Sequence, residues 1–268
     1  MINSSNQSLF IEYIFLNFLV KTIAFILIAF ILLQSNELWA KDRHIEMLAG
    51  LSKPPFVIAN EDKGMQIEII EAAFSKNDMF VRFTYLPLSR HLDVFHSRGF
   101  DGIITLSEHE KQRGICLSKP YIIYQNVAVT LADSALNIST IDDLAKLKVA
   151  AFQDATRFIG EEYSTTFKNL NSYTELADQK SQIALLFSGR VDAVVMDINI
   201  FKHLLANKRH ENSSNKTLNK KYKIHFLFKP RVYTAGFKNK ELCQQFDQGI
   251  NEIVADGSYQ KIIDSYLE

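Results

Sequence analysis

The sequence predicts an α/β protein built as two similar lobes, and two observations carry that expectation. The first is an internal repeat: residues 186–197 (LFSGRVDAVVMD) follow the same grammar as residues 94–105 (VFHSRGFDGIIT). In each copy an apolar helix end runs into a Gly/Arg turn, then an Asp, a small residue, and a short aliphatic run that ends on a polar side chain. Gly99 and Gly189 suit the left-handed residue that stops a helix, and 100–104 and 191–195 read as buried parallel strands. The second observation is that helical and strand spacings alternate along the remaining chain, as parallel α/β sheets require. Ligands of open α/β sheets gather outside the carboxyl ends of the strands, so Thr105 and Asp197 are expected to stand at a ligand site. Two lobes that each offer polar groups from strand ends describe a clamp around a small molecule.

Each element follows from local signals. After residue 40 a strand is expected over 45–48, and a loop carries Lys53-Pro54-Pro55-Phe56. Ile67, Ile70, Ala73 and Phe74 recur at helical spacing, so a helix covers 65–74. A strand over 81–85, a helix over 89–96 and a strand over 100–104 complete the first set. A strand over 127–131 follows Pro120-Tyr121, and residues 139–143 (STIDD) offer a capping signal for a short helix before a strand over 148–152. Asp154 is positioned to cap a helix from 155 through 163, and Thr174 another through 187. Strands over 224–228 and 232–237 come next, and two amphipathic helices over 240–255 and 259–267 close the chain. Between the sets lies no Gly/Ser-rich or proline-rich linker, so strands near 125–130 and 233–237 are expected to carry the chain across. Lobe 1 then comprises 41–126 and 233–268, and lobe 2 comprises 127–232. Residues 207–221 (NKRHENSSNKTLNKK) read as a solvated, mobile loop inserted into lobe 2.

A chain of 268 residues with 47% hydrophobic residues has ample material for real cores. Its 30 basic and 30 acidic residues balance, so the overall charge offers no basis for binding nucleic acid. Residues 22–33 (TIAFILIAFILL) form an uncharged apolar core behind Lys21 and ahead of Leu38-Trp39-Ala40. That arrangement reads as a secretory signal peptide over 1–40, cleaved after Ala40. The competing reading is an uncleaved anchor over 9–33, which Glu12, Asn17 and Lys21 interrupt. Neither Cys116 nor Cys243 lies near the cleavage point. In an exported chain the two can pair, or remain separate buried thiols.

Several short motifs occur in a telling order: Pro54-Pro55-Phe56 with Gly64-Met65-Gln66-Ile67-Glu68, then Asp101-Gly102-Ile103-Ile104, Leu117-Ser118-Lys119-Pro120-Tyr121, Ile141-Asp142-Asp143-Leu144, residues 189–197, and 246–259. Over roughly 45–267 their order and spacing resemble the periplasmic solute-binding proteins of family 3, which serve ABC importers. The resemblance implies the two-lobed periplasmic binding protein fold of type II, each lobe a Rossmann-like open sheet with flanking helices, and two crossover strands as hinge. It also implies a periplasmic monomer that captures an amino acid or related carboxylate and delivers it to an ABC permease, with no cofactor and no metal.

Carried over residue by residue, the resemblance proposes a site. An Arg after the first-lobe strand grips the ligand carboxylate with a planar fork that lysine cannot reproduce. Counting from Asp101 this is Arg113; counting back from Pro120-Tyr121 it is Lys111. Thr156, at a helix start where anions are favoured, matches the second carboxylate contact, and Asp197 matches the acceptor for the ligand ammonium. Phe56 and Lys53 stand on the loop that borders the cleft in similar proteins. Lys53 takes the place where an aromatic often precedes Pro-Phe, and Gly50 the place of an acidic partner for basic ligands. Lys53, Arg90 and Arg113 together favour a ligand carrying extra negative charge, whereas Glu68 and Glu108 are the groups a cationic ligand would use.

Two alternatives share the fold. Glu68, Glu108, His109 and Glu110 could supply general acid or base groups for a dehydratase-like enzyme, although no nucleophile elbow, phosphate loop or zinc signature accompanies them. The same clamp could instead report ligand occupancy to a membrane receptor.

Overall fold

The computed structural model describes residues 21–23, 44–107, 114–134, 136–211 and 216–267. The chain divides into two units, Met1–Arg43 and His44–Glu268. In the first, residues 21–23 are helical, and the signal-peptide and anchor readings otherwise lie outside the described residues. Among the described residues no helix is long and apolar enough to cross a membrane.

The second unit contains two sheets. The first is formed by β1 (His44–Ala49), β2 (Phe80–Tyr85), β3 (Gly102–Leu106), β4 (Cys116–Leu117), β5 (Ile122–Tyr124) and β11 (Arg231–Phe237). Its order is β2-β1-β3-β11-β4, with β5 paired to β11. The second sheet comprises β6 (Asn126–Leu131), β7 (Val149–Phe152), β8 (Tyr173–Leu176), β9 (Ala193–Asp197) and β10 (Tyr222–His225), in the order β10-β6-β9-β7-β8. The chain leaves the first sheet after β5 and returns to it at β11. In each sheet three neighbouring strands run parallel, β1 with β2 and β3, β7 with β8 and β9. Each also accepts an antiparallel strand from the crossing region, β11 on β3 and β6 on β9. All five residues of β9 are buried, as expected of an interior strand covered on both faces.

Helices cover the sheets. Helix α1 (Met65–Ser75) packs against α8 (Lys240–Ala255), and Gly249 lets the two backbones meet, since a Cβ there would lie 2.0 Å from the Ala73 carbonyl oxygen. Gly to Ala inside a helix ordinarily adds about 1 kcal/mol of helix propensity. Here the collision is with backbone that cannot swing away, so Gly249→Ala is expected to lose about 1–3 kcal/mol of stability. A urea midpoint equal to or above that of the unaltered protein would contradict this packing. A disulfide joins Cys116 on β4 to Cys243 on α8, with the Cα atoms 6.2 Å apart, which settles the alternative left open by the sequence in favour of pairing.

Several elements differ from expectation. The helix expected from 89 begins as a 3-10 turn, Leu88–Arg90, before α2 (His91–Ser97). The short helix α3 (Ile141–Ala145) carries the capping box, formed by Thr140 and Asp143. The helix expected over 155–163 is two, α4 (Ala155–Phe158) and α5 (Glu161–Phe167), interrupted at Gly160. Thr174 caps nothing: it lies inside β8, and Asp178 caps α6 (Gln179–Phe187) by accepting the Lys180 N–H. Helix α7 (Ile198–Glu211) follows β9 directly and takes in the first part of the expected 207–221 loop, while Lys216–Asn219 forms a 3-10 turn. Helix α9 (Ser258–Ser265) closes the unit.

Candidate ligand cleft

The cleft begins with a glycine. Gly64 has φ +120°, and a Cβ there would meet the Phe56 carbonyl oxygen at 2.5 Å, so the Lys53–Val57 turn can lie directly on the start of α1. Met65 N–H donates to Pro55 O and Gln66 N–H to Phe56 O, both at 2.9 Å. Within the turn, Lys53 N–H donates to Val57 O at 2.8 Å and Phe56 N–H to Lys53 O at 2.9 Å. The result is a fixed loop that presents Lys53 and Val57 to a cavity of about 480 Å³. Phe56, read from sequence as a cleft residue, does not line that cavity. Its ring is fully buried and stacks on Tyr124 at 3.9 Å.

Elements of both sheets wall the cavity. Gln66, Leu88 and Thr105 come from the side of the first sheet, and Phe152, Gln153 and Asp197 from that of the second. Tyr124, Asn126, Arg231 and Tyr233, on the strands where the chain passes between sheets, form its base. Thr105 and Asp197, the polar ends of the two repeated motifs, both reach it. Gln66, which sequence reasoning did not single out, organises the floor from a buried position. Its amide nitrogen donates to Thr105 Oγ1 (3.0 Å) and to the Tyr121 hydroxyl (2.9 Å), and its carbonyl accepts from the Tyr124 hydroxyl (2.8 Å). The Tyr121 hydroxyl in turn donates to the Ile104 carbonyl oxygen. Burial raises the pKa of both tyrosines, so these hydroxyls stay neutral and act as fixed donors. The signal for Gln66 was a polar residue on an otherwise apolar helix stripe.

Asp197 ends β9 and is 3% exposed. One oxygen accepts the N–H groups of Asn199 (2.8 Å) and Ile200 (3.2 Å) at the start of α7, and the other accepts Gln125 N–H (2.8 Å). It therefore caps a helix and faces the cavity at once. Burial raises its pKa to about 6, against the three backbone donors and the charge of Lys53, which hold it down. Lys53 opens onto the cleft but has protein on most sides, with its ammonium 4.6 Å from the centre of the Tyr124 ring. Burial lowers its pKa, and Asp197 opposes that shift.

The remaining sequence candidates lie elsewhere. Thr156 does not line the cavity: its N–H and its hydroxyl both donate to Glu175 Oε1 at 2.9 Å, and Asp154 N–H donates to the other oxygen at 2.7 Å. The anion at this short helix start is thus supplied by β8 of the same chain. Burial pushes Glu175 up, and its hydrogen bonds to Thr156, Tyr173 and Asp154 together pull it below the ordinary carboxylate value. Arg90 is exposed on its 3-10 turn, whose Leu88 faces the cavity instead. Glu68 accepts the Tyr266 hydroxyl and is not part of the lining. Arg113, Lys111 and Glu108 lie outside the described residues. Arg231, unforeseen, lines the cavity and donates to the Phe158 carbonyl. Among the described residues no group of three or more His, Cys, Asp or Glu is arranged to hold a metal ion.

Two open sheets exchanging strands, with a cleft at the strand ends that carries a few placed polar groups, are consistent with the two-lobed fold of solute-binding proteins. Residues 45–268 match the family model of bacterial extracellular solute-binding proteins, family 3, and the chain belongs to that family. It is 24% identical over 228 residues to an arginine-binding periplasmic protein of Mannheimia haemolytica, covering 81% of this chain and 88% of that one. Among solved structures it resembles an ancestral cationic amino acid solute-binding protein (TM-score 0.65, 16% identity, 87% of this chain and 99% of that one). It also resembles the GluR0 ligand-binding core complexed with L-glutamate (TM-score 0.61, 15% identity, 85% and 100%). A third neighbour is the second substrate-binding domain of a putative amino acid ABC transporter from Streptococcus pneumoniae (TM-score 0.61, 22% identity, 84% and 100%).

Proposed function

We propose that the protein is exported through a cleaved signal peptide, binds an α-amino acid or closely related carboxylate in this cleft, and delivers it to an ABC importer. The observation that carries the reading is Asp197, a buried carboxylate at a strand end with one face on the cavity, in a chain of this family. In this reading 41–126 with 233–268 form one lobe and 127–232 the other. The two close about the crossover strands because the ligand reaches both only in the closed state. Asp197 takes the ligand ammonium, and the tyrosine and Gln66 floor orients the rest. The ligand carboxylate finds the basic residues of 111–113. Thr156 joins them only if Glu175 yields its place. The arginine-binding relative supports amino-acid capture. Similarity to the sensor domain of a histidine kinase (TM-score 0.58, 20% identity, 85% of this chain and 97% of that one) keeps a reporting role as the second reading. Of the acid–base candidates for a dehydratase-like reaction, Glu68 is held by Tyr266 and does not line the cavity, and Glu108, His109 and Glu110 lie outside the described residues.

A thermal-shift screen with the twenty amino acids and small dicarboxylates tests the binding claim. A ligand at a hundred times its Kd adds about 2.7 kcal/mol of stability, which for a unit of this size raises Tm by about 5–10 °C. No concentration-dependent rise with any amino acid would reject it.

A further inference from the structure

We propose that the ligand carries a second anionic group, an acidic amino acid being the simplest case, and that Lys53 is the residue that selects it. The inference rests on the amino-acid reading above and goes further by assigning the ligand's charge.

The charged side chains lining the cavity among the described residues are Lys53, Arg231 and Asp197, which leaves one net positive charge. An ordinary amino acid is a neutral zwitterion and would leave the excess in place when the cleft closes and water is excluded, where unpaired charge is most unfavourable. A second carboxylate cancels it.

Lys53 is the better placed of the two cations. Among the described residues no carboxylate lies within ion-pair distance of it, the salt bridges there being Lys76–Asp256, Arg82–Glu46 and Lys146–Asp143. Its backbone is locked in the turn and its ammonium stands 4.6 Å from the centre of the Tyr124 ring, so a cation is held at the cavity wall. Arg231, by contrast, already donates to the Phe158 carbonyl. Asp197 is the one carboxylate lining the cavity among the described residues, and three backbone N–H groups engage it. It can accept a single ammonium. A ligand with a second cationic group, such as arginine, finds no second carboxylate among the described residues that line the cavity.

The test uses isosteric pairs that differ by one charge. Titration calorimetry on the purified protein is expected to show L-glutamate over L-glutamine, or L-aspartate over L-asparagine, by tenfold or more, with L-arginine weaker than either acid. Lys53→Met should reduce that preference to less than threefold, and Lys53→Arg should keep it. A cleft that prefers the amides or L-arginine, that binds neither these amino acids nor glutarate or succinate, or that keeps its acid preference in Lys53→Met overturns the proposal. Glutarate and succinate separate the two layers: binding of these with none of the amino acids refutes the amino-acid reading and leaves the second-anion assignment standing.

Discussion

Asp197→Asn is expected to weaken ligand binding by about 10- to 100-fold, because a hydrogen bond between ionised partners contributes about 1.5–3 kcal/mol. The fold should survive. An asparagine oxygen can still accept from Asn199 and Ile200, and the variant no longer buries a charge, although its amide then faces Gln125 N–H donor to donor. The pH dependence makes the expectation more specific. In the unliganded protein the carboxyl titrates near 6 rather than at its ordinary 3.8, so between those values the folded state binds more protons than the unfolded one. This group therefore lowers stability as pH rises from about 4 to about 6, by about 3 kcal/mol in all. A bound ammonium favours the ionised form and reverses the sign. Affinity should fall as pH drops through about 6, approaching tenfold per unit, and the fall should vanish in Asp197→Asn. Calorimetry between pH 5 and 8 on both proteins checks this, and a flat profile in the unaltered protein would remove Asp197 from the site.

Removing the disulfide should produce the largest loss of stability. The bond spans 127 positions of sequence and ties a two-residue strand, β4, to the buried face of α8. Loop closure of this length corresponds to about 5 kcal/mol in the chain-entropy treatment, and measured losses run about 2–5 kcal/mol. Replacing both cysteines with alanine should therefore lower Tm by about 10 °C and make stability insensitive to reductant. An unchanged Tm in a fully reduced protein would contradict the estimate of what the tie contributes.

How far the sequence discloses this molecule depends on whether a signal is local. Helix α8 is legible to the residue because Asn239 caps it and its apolar stripe is regular. Helix α7 is not, because it follows β9 without a turn and its cap, Asp197, is also the last strand residue. Thr174 reads as a helix cap only while β8 is unseen; the pairing of Tyr173–Leu176 with β7 is a long-range fact. The same division holds in the cleft. Thr105, Asp197 and Lys53 are legible because strand ends and a Pro-Pro loop fix where they stand. Phe56 turns inward because stacking on Tyr124 buries its whole ring, and Thr156 turns to Glu175 because that carboxylate satisfies the N–H groups of α4. Both outcomes depend on residues distant in sequence. Gln66, Tyr124, Tyr233 and Arg231 carry no local signal of a cleft position, because what brings them to one cavity is the pairing of strands distant in sequence.

A small zwitterion or anion held on Asp197 in this cleft should survive gentle purification. Native mass spectrometry of the protein purified without denaturation tests it most directly. The expected result is a bound species of amino-acid mass carrying a carboxylate, released on acidification below about pH 5 and absent from Asp197→Asn prepared in the same way. A retained species indifferent to both acid and the Asp197 substitution, or one with no carboxylate, would contradict it.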